Sequence, residues 1–297
     1  MADDFVSSAA VAMGADKDLP DIELAIHHSV SSLCKIARDF LSKGIELTRI
    51  CKLAVLLKES GVNPNIILYR KIAENCSNMQ RNDGGWSDVV ETMWCTTFLN
   101  LFVEYSDPVK KAFKWLKSQR YKDGGWGKSI RDPARIPITA LLLYLLPQIS
   151  SNEELKWLEN KWNEERKFEP CLTYKAAFTL MAFSKNGYHP ENQVLISETV
   201  RWLIGQQNND GGWSPWKDHP VGSDPWCTGI SMVGLLHYPE KIPQKVLMKA
   251  LTWLSEKQLP NGLWPYHYIE EGSSWALYAL VMGHSLLNGI KQEKDIE

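Results

Sequence analysis

No apolar run in the 297 residues reaches the 18 or so that a membrane-spanning helix needs. The densest stretch, Ile136 to Leu146, is short and is interrupted by Pro137. A basic start followed by an apolar core is missing from the first twenty residues, so they do not read as a secretory signal, and the expected compartment is the cytoplasm. Charge of one sign is missing too. The 33 Lys plus Arg stand against 35 Asp plus Glu, a net charge of −2, which gives no electrostatic ground for nucleic acid as a partner. The six cysteines (Cys34, Cys51, Cys76, Cys95, Cys171, Cys227) form no CxxC pair and read as buried thiols in a reducing compartment. GxSxG, HExxH, phosphate-loop and dinucleotide fingerprints are absent, which removes the commonest hydrolase and nucleotide readings. What the chain has in excess is tryptophan, with 13 copies.

The tryptophans are periodic. Gln80 to Trp86 reads QRNDGGW, Gln119 to Trp126 reads QRYKDGGW, Gln207 to Trp213 reads QNNDGGW, and Gln258 to Trp264 reads QLPNGLW. The period is about 40 to 50 residues, with one double-length gap in which Phe168 takes the place of the missing aromatic. A second ladder, Trp115-Leu116, Trp157-Leu158, Trp202-Leu203 and Trp253-Leu254, precedes the turns at nearly constant distance. Each Trp-Leu pair belongs to a polar-apolar helix that begins near Asp107-Pro108, Ser151-Asn152, Pro190-Glu191 or Pro243. Each DGG is a turn. A second, more apolar helix follows each turn: Thr96 to Phe102, Thr139 to Leu146, Thr173 to Phe183, Thr228 to Leu236 and Ser274 to Leu287. With three helical stretches ahead of the first turn (Ile22 to Leu41, Glu46 to Glu59, Asn65 to Asn78) the total is about twelve helices in six pairs.

An array of such pairs either stays open or closes into a ring. Second helices that are apolar all round favour the ring, in which one helix of each pair is buried on every side. The expected fold is therefore all-α, a single α6/α6 barrel over residues 21–290, with a loose segment at 1–20 and a polar tail at 291–297.

The block from Trp115-Leu116 through Gln119 to Asp123-Gly-Gly-Trp126, repeated around Gln207 and Trp213, resembles the QW repeat of the triterpene and diterpene cyclases of the squalene and oxidosqualene type. It is also similar to the weaker repeat of protein prenyltransferase β subunits. The resemblance implies the toroid of those families, with the Gln and Trp in structural roles. It further implies that a class II cyclase carries its acid in a DxDDTA or DCTA sequence at the start of an inner helix. Here the matching stretch is Asp224-Pro-Trp-Cys227-Thr228-Gly229, with Trp226 and Cys227 in the two acid positions. The prenyltransferase pattern implies zinc on an Asp-x-Cys pair and a His; Asp224, Cys227 and His267 are the nearest set. No cofactor is expected, with zinc and magnesium left open. A single barrel also lacks the second helical domain of the class II enzymes, which leaves room for a protein partner that completes the cavity.

The loops from outer to inner helix are the longer set, so the mouth that the inner-helix N-termini face is the candidate site. Helix N-termini favour an anion there, such as a diphosphate. Arg131 and Arg135 could clamp a phosphate bidentately, or pair with Asp132 on a solvated rim. The longest loop, Ser214 to Cys227, carries Trp216, His219, Asp224 and Trp226. Glu91 and Asp224 are the candidate acids, each equally readable as a helix-capping group. Trp94, Tyr174, Trp226 and Trp275 open four inner helices and could form an aromatic cage, or simply core. Two functions follow: a terpene-cyclase-like enzyme starting a carbocation cyclisation of a polyene or isoprenyl diphosphate by acid, or a non-catalytic toroid holding a lipid, peptide or partner. A prenyltransferase β-like enzyme comes third. The partner in the first case is an isoprenoid or other apolar small molecule, with peripheral membrane contact open.

Overall fold

The structure is a computed structural model that describes residues 21–294. The expected N-terminal segment 1–20 lies outside the described residues, as do 295–297, whereas 291–294 continue the last helix. Among the described residues are twelve α-helices and no strand: α1 (Ile22–Lys43), α2 (Leu47–Glu59), α3 (Ile67–Asn78), α4 (Val89–Leu99), α5 (Ser106–Ser118), α6 (Ile136–Leu145), α7 (Asn152–Glu165), α8 (Thr173–Lys185), α9 (Leu195–Gly205), α10 (Pro225–Leu236), α11 (Gln244–Lys257) and α12 (Ile269–Lys294). None is long and apolar enough to cross a membrane.

The even-numbered helices pack in the order α2, α4, α6, α8, α10, α12, and α12 returns to α2, so the inner helices close a ring. The odd-numbered helices lie outside it. Composition decides which is which. Of the helix α6, Ile136 to Tyr144 include seven buried residues; on α5 only Val109, Ala112 and Leu116 are buried, one stripe of an amphipathic helix. Pro137 does not break α6 but sits in its first turn, where its missing N–H has no intrahelical partner to lose.

The repeats hold the ring together through hydrogen bonds. Trp86, Trp126, Trp213 and Trp264 are at most 2% exposed. Each indole N–H donates to a last-turn carbonyl of the preceding outer helix, at Cys76, Leu116, Leu203 and Leu254 (2.7–3.0 Å), which satisfies a group the helix end leaves unpaired. Each backbone N–H donates to a hydroxyl of the following inner helix, at Thr92, Thr139, Thr228 and Ser273 (2.8–2.9 Å).

A third contact runs sideways. The residue six places before the repeat aromatic reaches the next outer helix in all five repeats. Gln80 donates to the Pro108 carbonyl on α5 (2.9 Å), Gln207 to Val246 on α11 (3.0 Å) and Gln258 to Ala25 on α1 (2.8 Å), so the last repeat ties the chain's end to its beginning. In the second repeat one extra residue moves Gln119 out of register. Arg120 takes the position and pairs with Glu153 (2.6 Å) and Glu154 (3.0 Å) on α7. In the degenerate repeat it is Trp162, whose indole donates to Thr199 on α9 (2.8 Å). The second tryptophan ladder covers the turns: Trp115 and Trp253 donate to Asp83 and Asp210 of the preceding DGG (3.2 and 3.0 Å). A Cβ on Gly85 would stand 2.5 Å from the Trp115 ring, which is why this position is glycine.

Four expectations are corrected. Phe168 is 64% exposed and makes no rung; Trp162, 1% exposed, anchors that repeat instead, and Thr173 turns its hydroxyl to the Ser214 carbonyl (2.8 Å) of the next loop. Inner helix α4 begins at Val89, not Thr96, because Asp88 caps it by accepting from the Glu91 N–H (2.9 Å), and the rung hydroxyl is Thr92. Helices α6, α10 and α12 likewise begin before Thr139, Thr228 and Ser274, at Ile136, Pro225 and Ile269. Outer helix α9 starts at Leu195, after an irregular stretch that Pro190 and Glu191 belong to and a turn at Gln193-Val194.

Candidate functional site

The six inner-helix N-termini face one mouth, and the candidate residues are distributed around it. Asp224 is the N-cap of α10, its Oδ1 accepting from the Cys227 N–H (2.8 Å). Burial raises its pKa, with the Cys227 hydrogen bonds and the charge of His219 acting in the opposite sense. It opens on a cleft of about 600 Å³ that also holds Trp253, Tyr266 and His267. Glu91 lies in the first turn of α4 and accepts three hydrogen bonds, from the Ser87 N–H (2.9 Å), the Thr48 N–H (3.3 Å) and the Thr48 hydroxyl (3.1 Å). It thereby ties the start of α2 to the loop before α4.

The aromatic side chains converge. Tyr174 meets Trp226 edge-on at 5.2 Å between centroids, Trp226 stacks on Tyr266 at 6.4 Å, and Phe178 bridges Trp226 (6.4 Å) to Trp275 (6.0 Å). Trp94 joins through charge: the Lys52 ammonium lies 5.7 Å from its ring, pairs with Glu271 (2.8 Å), and Glu271 accepts from the Trp226 indole N–H (3.2 Å). Beside them Arg49 pairs with Glu270 (2.6 Å), whose side chain is 5% exposed, and lies over the Phe40 and Tyr268 rings.

The column continues down the axis. Trp275 approaches Tyr278 (6.3 Å), whose hydroxyl shares a hydrogen bond with that of Tyr144 (2.9 Å). Tyr144 is on α6 and Tyr278 on α12, which face each other across the ring. His237 closes the column edge-on to Tyr144 (5.4 Å), and burial, followed by the charge of Lys185, lowers its pKa to about 4. The barrel axis is thus spanned by aromatic side chains rather than left as a channel at this level.

The other candidates stay at the rim. Arg131 is exposed, and Arg135, half exposed, faces Asp132 at 3.7 Å. Trp216 and His219 pair with each other at 4.2 Å. Asp224, Cys227 and His267 do not assemble a zinc site: His267 is exposed, Cys227 is buried, and burial and the Asp224 charge hold its thiol far above the thiolate range. Among the described residues the group whose ligand atoms lie within 4.8 Å of one another is Cys51, Cys76 and Cys95. Sequence reasoning missed Lys52, Glu271, Phe178, Tyr266 and the Tyr144–Tyr278 pair. The Glu270-Glu271 pair, which opens the first turn of α12, was the one visible signal; the others read as ordinary amphipathic or core positions.

No family model matches the chain. Relatives with known activities do. It is 31% identical over 111 residues to lanosterol synthase of Pneumocystis carinii, a match that spans 34% of this chain and 15% of that protein. It is 25% identical over 209 residues to drimenyl diphosphate synthase of Streptomyces showdoensis, spanning 62% and 39%, and 30% identical over 92 residues to squalene–hopene cyclase of Zymomonas mobilis, spanning 28% and 14%. The chain therefore matches well under half the length of each. Among solved structures, a variant of the type II terpene cyclase MstE from Scytonema, bound to geranylgeranyl dihydroxybenzoate, superposes with a TM-score of 0.68 at 15% identity over 89% of this chain and 99% of that one. A protein from Actinoplanes superposes with a TM-score of 0.62. The architecture is the helical toroid of the type II cyclases. The chain is thus similar in sequence to terpene cyclases over part of its length and shares the fold of the type II enzymes.

Proposed function

We propose that this protein is a terpene-cyclase-like enzyme of the cytoplasm that binds an isoprenoid, a polyene or an isoprenyl diphosphate, at the N-terminal mouth and starts its cyclisation by protonation. The observation that carries this is a half-buried carboxyl, Asp224, that lines one cleft with Tyr266, the ring stacked on Trp226 at the end of a column of aromatic side chains. Protonating an alkene requires a neutral carboxylic acid, and burial shifts Asp224 toward that form. The cation that results is stabilised by ring faces, each contributing about 0.5 to 2 kcal/mol. Trp226, Tyr174, Phe178 and Trp275 are placed for this, and Lys52 over Trp94 already sets a resident cation on another ring of the same mouth. Glu91, whose oxygens accept three hydrogen bonds that tie α2 to the loop before α4, is the second and weaker candidate acid, because donors of this kind favour the carboxylate. Arg131 and Arg135 on the rim are the residues available to a diphosphate.

A second reading, a non-catalytic toroid, draws on the hydrogen bond that Tyr144 and Tyr278 make across the axis. One assay separates the two. The protein is incubated with squalene and with C10, C15 and C20 isoprenyl diphosphates, and extracts are compared by mass spectrometry with and without phosphatase. A product isomeric with its substrate is expected. Asp224→Asn, which keeps the helix cap because Asn accepts as well as Asp, is expected to abolish it while binding persists. Because an acid must be protonated to act, wild-type turnover is expected to fall as pH rises through the raised pKa of Asp224. Saturable binding without product in the wild type establishes the non-catalytic reading.

A further inference from the structure

Behind the α2–α4 side of the mouth, three cysteines from three different helices meet. Cys51 on α2, Cys76 on α3 and Cys95 on α4 are each fully buried, and their sulfur atoms all lie within 4.8 Å of one another. The Cys51 thiol donates to the Cys76 sulfur at 3.8 Å. A thiolate-bound ion has bonds of about 2.3 Å to sulfur, which places its sulfurs roughly 3.5 to 4 Å apart. The Cys51–Cys76 pair already stands at that spacing.

We propose that Cys51, Cys76 and Cys95 form a binding site for a soft trivalent ion of the arsenic and antimony class, held by three sulfurs alone. Ligand type selects softness, since the donors are all sulfur. Charge selects the valence. The three side chains are fully buried, and among the described residues no Lys, Arg or His hydrogen-bonds or pairs with any of the three sulfurs, while Glu91 lies one turn ahead of Cys95 on the same helix. Three thiolates around a divalent ion would leave a net negative charge in an apolar interior without a counter-ion, next to another negative charge, and an unpaired buried charge is costly. Around a trivalent ion the complex is neutral. Arsenite reaches the site as uncharged As(OH)₃. Each As–O bond is exchanged for an As–S bond, each thiol proton leaves with a hydroxide as water, and three waters are released with no electron transferred.

The three thiols differ in a way that suits stepwise capture. Cys51 and Cys76 stand 3.8 Å apart and form the first two-point grip, and Cys95 completes it from α4. Access is short. A cleft of about 800 Å³ is lined by Leu47, Thr48, Asn75 and Glu91, all within about one helical turn of the three sulfurs in sequence. An occupied site would staple α2, α3 and α4 together, and α2 and α4 carry Lys52 and Trp94 of the mouth.

The test uses the reduced full-length chain and sodium arsenite. One arsenic per chain is expected to survive gel filtration, and X-ray absorption at the arsenic edge is expected to show three sulfurs and no oxygen. Substituting Cys51, Cys76 or Cys95 singly by Ala is expected to weaken binding at least about 100-fold, because each loss turns a chelate into a weaker one, whereas Cys34→Ala, Cys171→Ala and Cys227→Ala leave it unchanged. Zinc, titrated in parallel, is expected to bind more weakly. An arsenic shell containing oxygen, a stoichiometry other than one, or tighter binding of zinc overturns the proposal, and these three readings need only the wild-type chain.

Discussion

Replacing Gln258 by Ala should loosen the ring at its seam. The Gln258 amide donates to two backbone carbonyls, Ala25 on α1 (2.8 Å) and Gly262 in its own turn (3.1 Å). A hydrogen bond of this kind contributes about 0.5 to 1.5 kcal/mol net, so losing both should cost about 1 to 3 kcal/mol. Gln119, the same residue in the same motif by sequence, is the control: its amide reaches only the Ser118 hydroxyl at 3.2 Å, and Gln119→Ala should stay within about 0.5 kcal/mol. Arg120→Ala, one position on, should cost more than Gln119→Ala, since it leaves Oε1 of Glu154, whose side chain is 8% exposed, without its charged partner while Oε2 keeps only the Ser151 cap. Urea unfolding of the three variants and the wild type, compared at a common slope, measures the differences. Hydrogen exchange should also show faster exchange in α1 for Gln258→Ala alone. Equal losses at Gln119 and Gln258 would refute the reasoning, because they would mean that the motif residue acts through something other than its bond to the next outer helix.

Two further outcomes follow from burial and backbone geometry. His237 has its pKa lowered from 6.5 to about 4, so the unfolded chain binds a proton that the folded chain refuses between those values; stability should fall as pH drops from 6.5 to 4, and His237→Phe should flatten that part of a stability–pH curve. Gly211→Ala, at φ +99° with its new Cβ 2.6 Å from the Lys249 carbonyl oxygen, should lower the unfolding midpoint more than Gly187→Ala, at φ +56° with open space around it, which should cost about 1 to 2 kcal/mol for the left-handed backbone alone.

Much of this ring was legible because its parts are local. A DGG turn and a tryptophan at fixed spacing reveal where an outer helix ends, and an apolar stretch after it reveals which helix is inside. Helix starts were less legible: α4 begins seven residues before Thr96 because Asp88 supplies a cap, and Thr92 and Thr96 are equally good hydroxyls by sequence. Phe168 shows the limit of counting by period. An aromatic in the right place is exposed because Trp162, six residues earlier, already fills the groove toward α9. The candidate site was half visible. Trp226, Tyr174 and Trp275 come together as helix starts on one mouth should, but the Lys52–Glu271 pair and the Tyr144–Tyr278 bond join helices far apart in sequence, and no local pattern marks which Lys faces which Glu around a ring.

The Tyr144–Tyr278 bond also sets a depth. From the start of α12 at Ile269 to Tyr278 is nine residues, or about 14 Å along the axis at 1.5 Å per residue. On the proposed function, an isoprenoid entering at the mouth meets Trp226, Phe178 and Trp275 first. The tyrosine pair lies below them, with both side chains buried and each hydroxyl holding the other from the opposite wall. The pair therefore acts as a floor, and shorter chains should be taken in preference to squalene. Tyr278→Ala should remove the floor and shift the ratio of C20 to C10 binding upward by tenfold or more, since each additional buried CH₂ contributes about 0.8 kcal/mol. Tyr278→Phe, which removes the hydrogen bond and keeps the ring, should shift it far less. Competition of the unlabelled diphosphates against one fluorescent isoprenoid gives these ratios without requiring turnover. A wild type that binds squalene more tightly than the C10 diphosphate contradicts the floor directly, whatever the variants do.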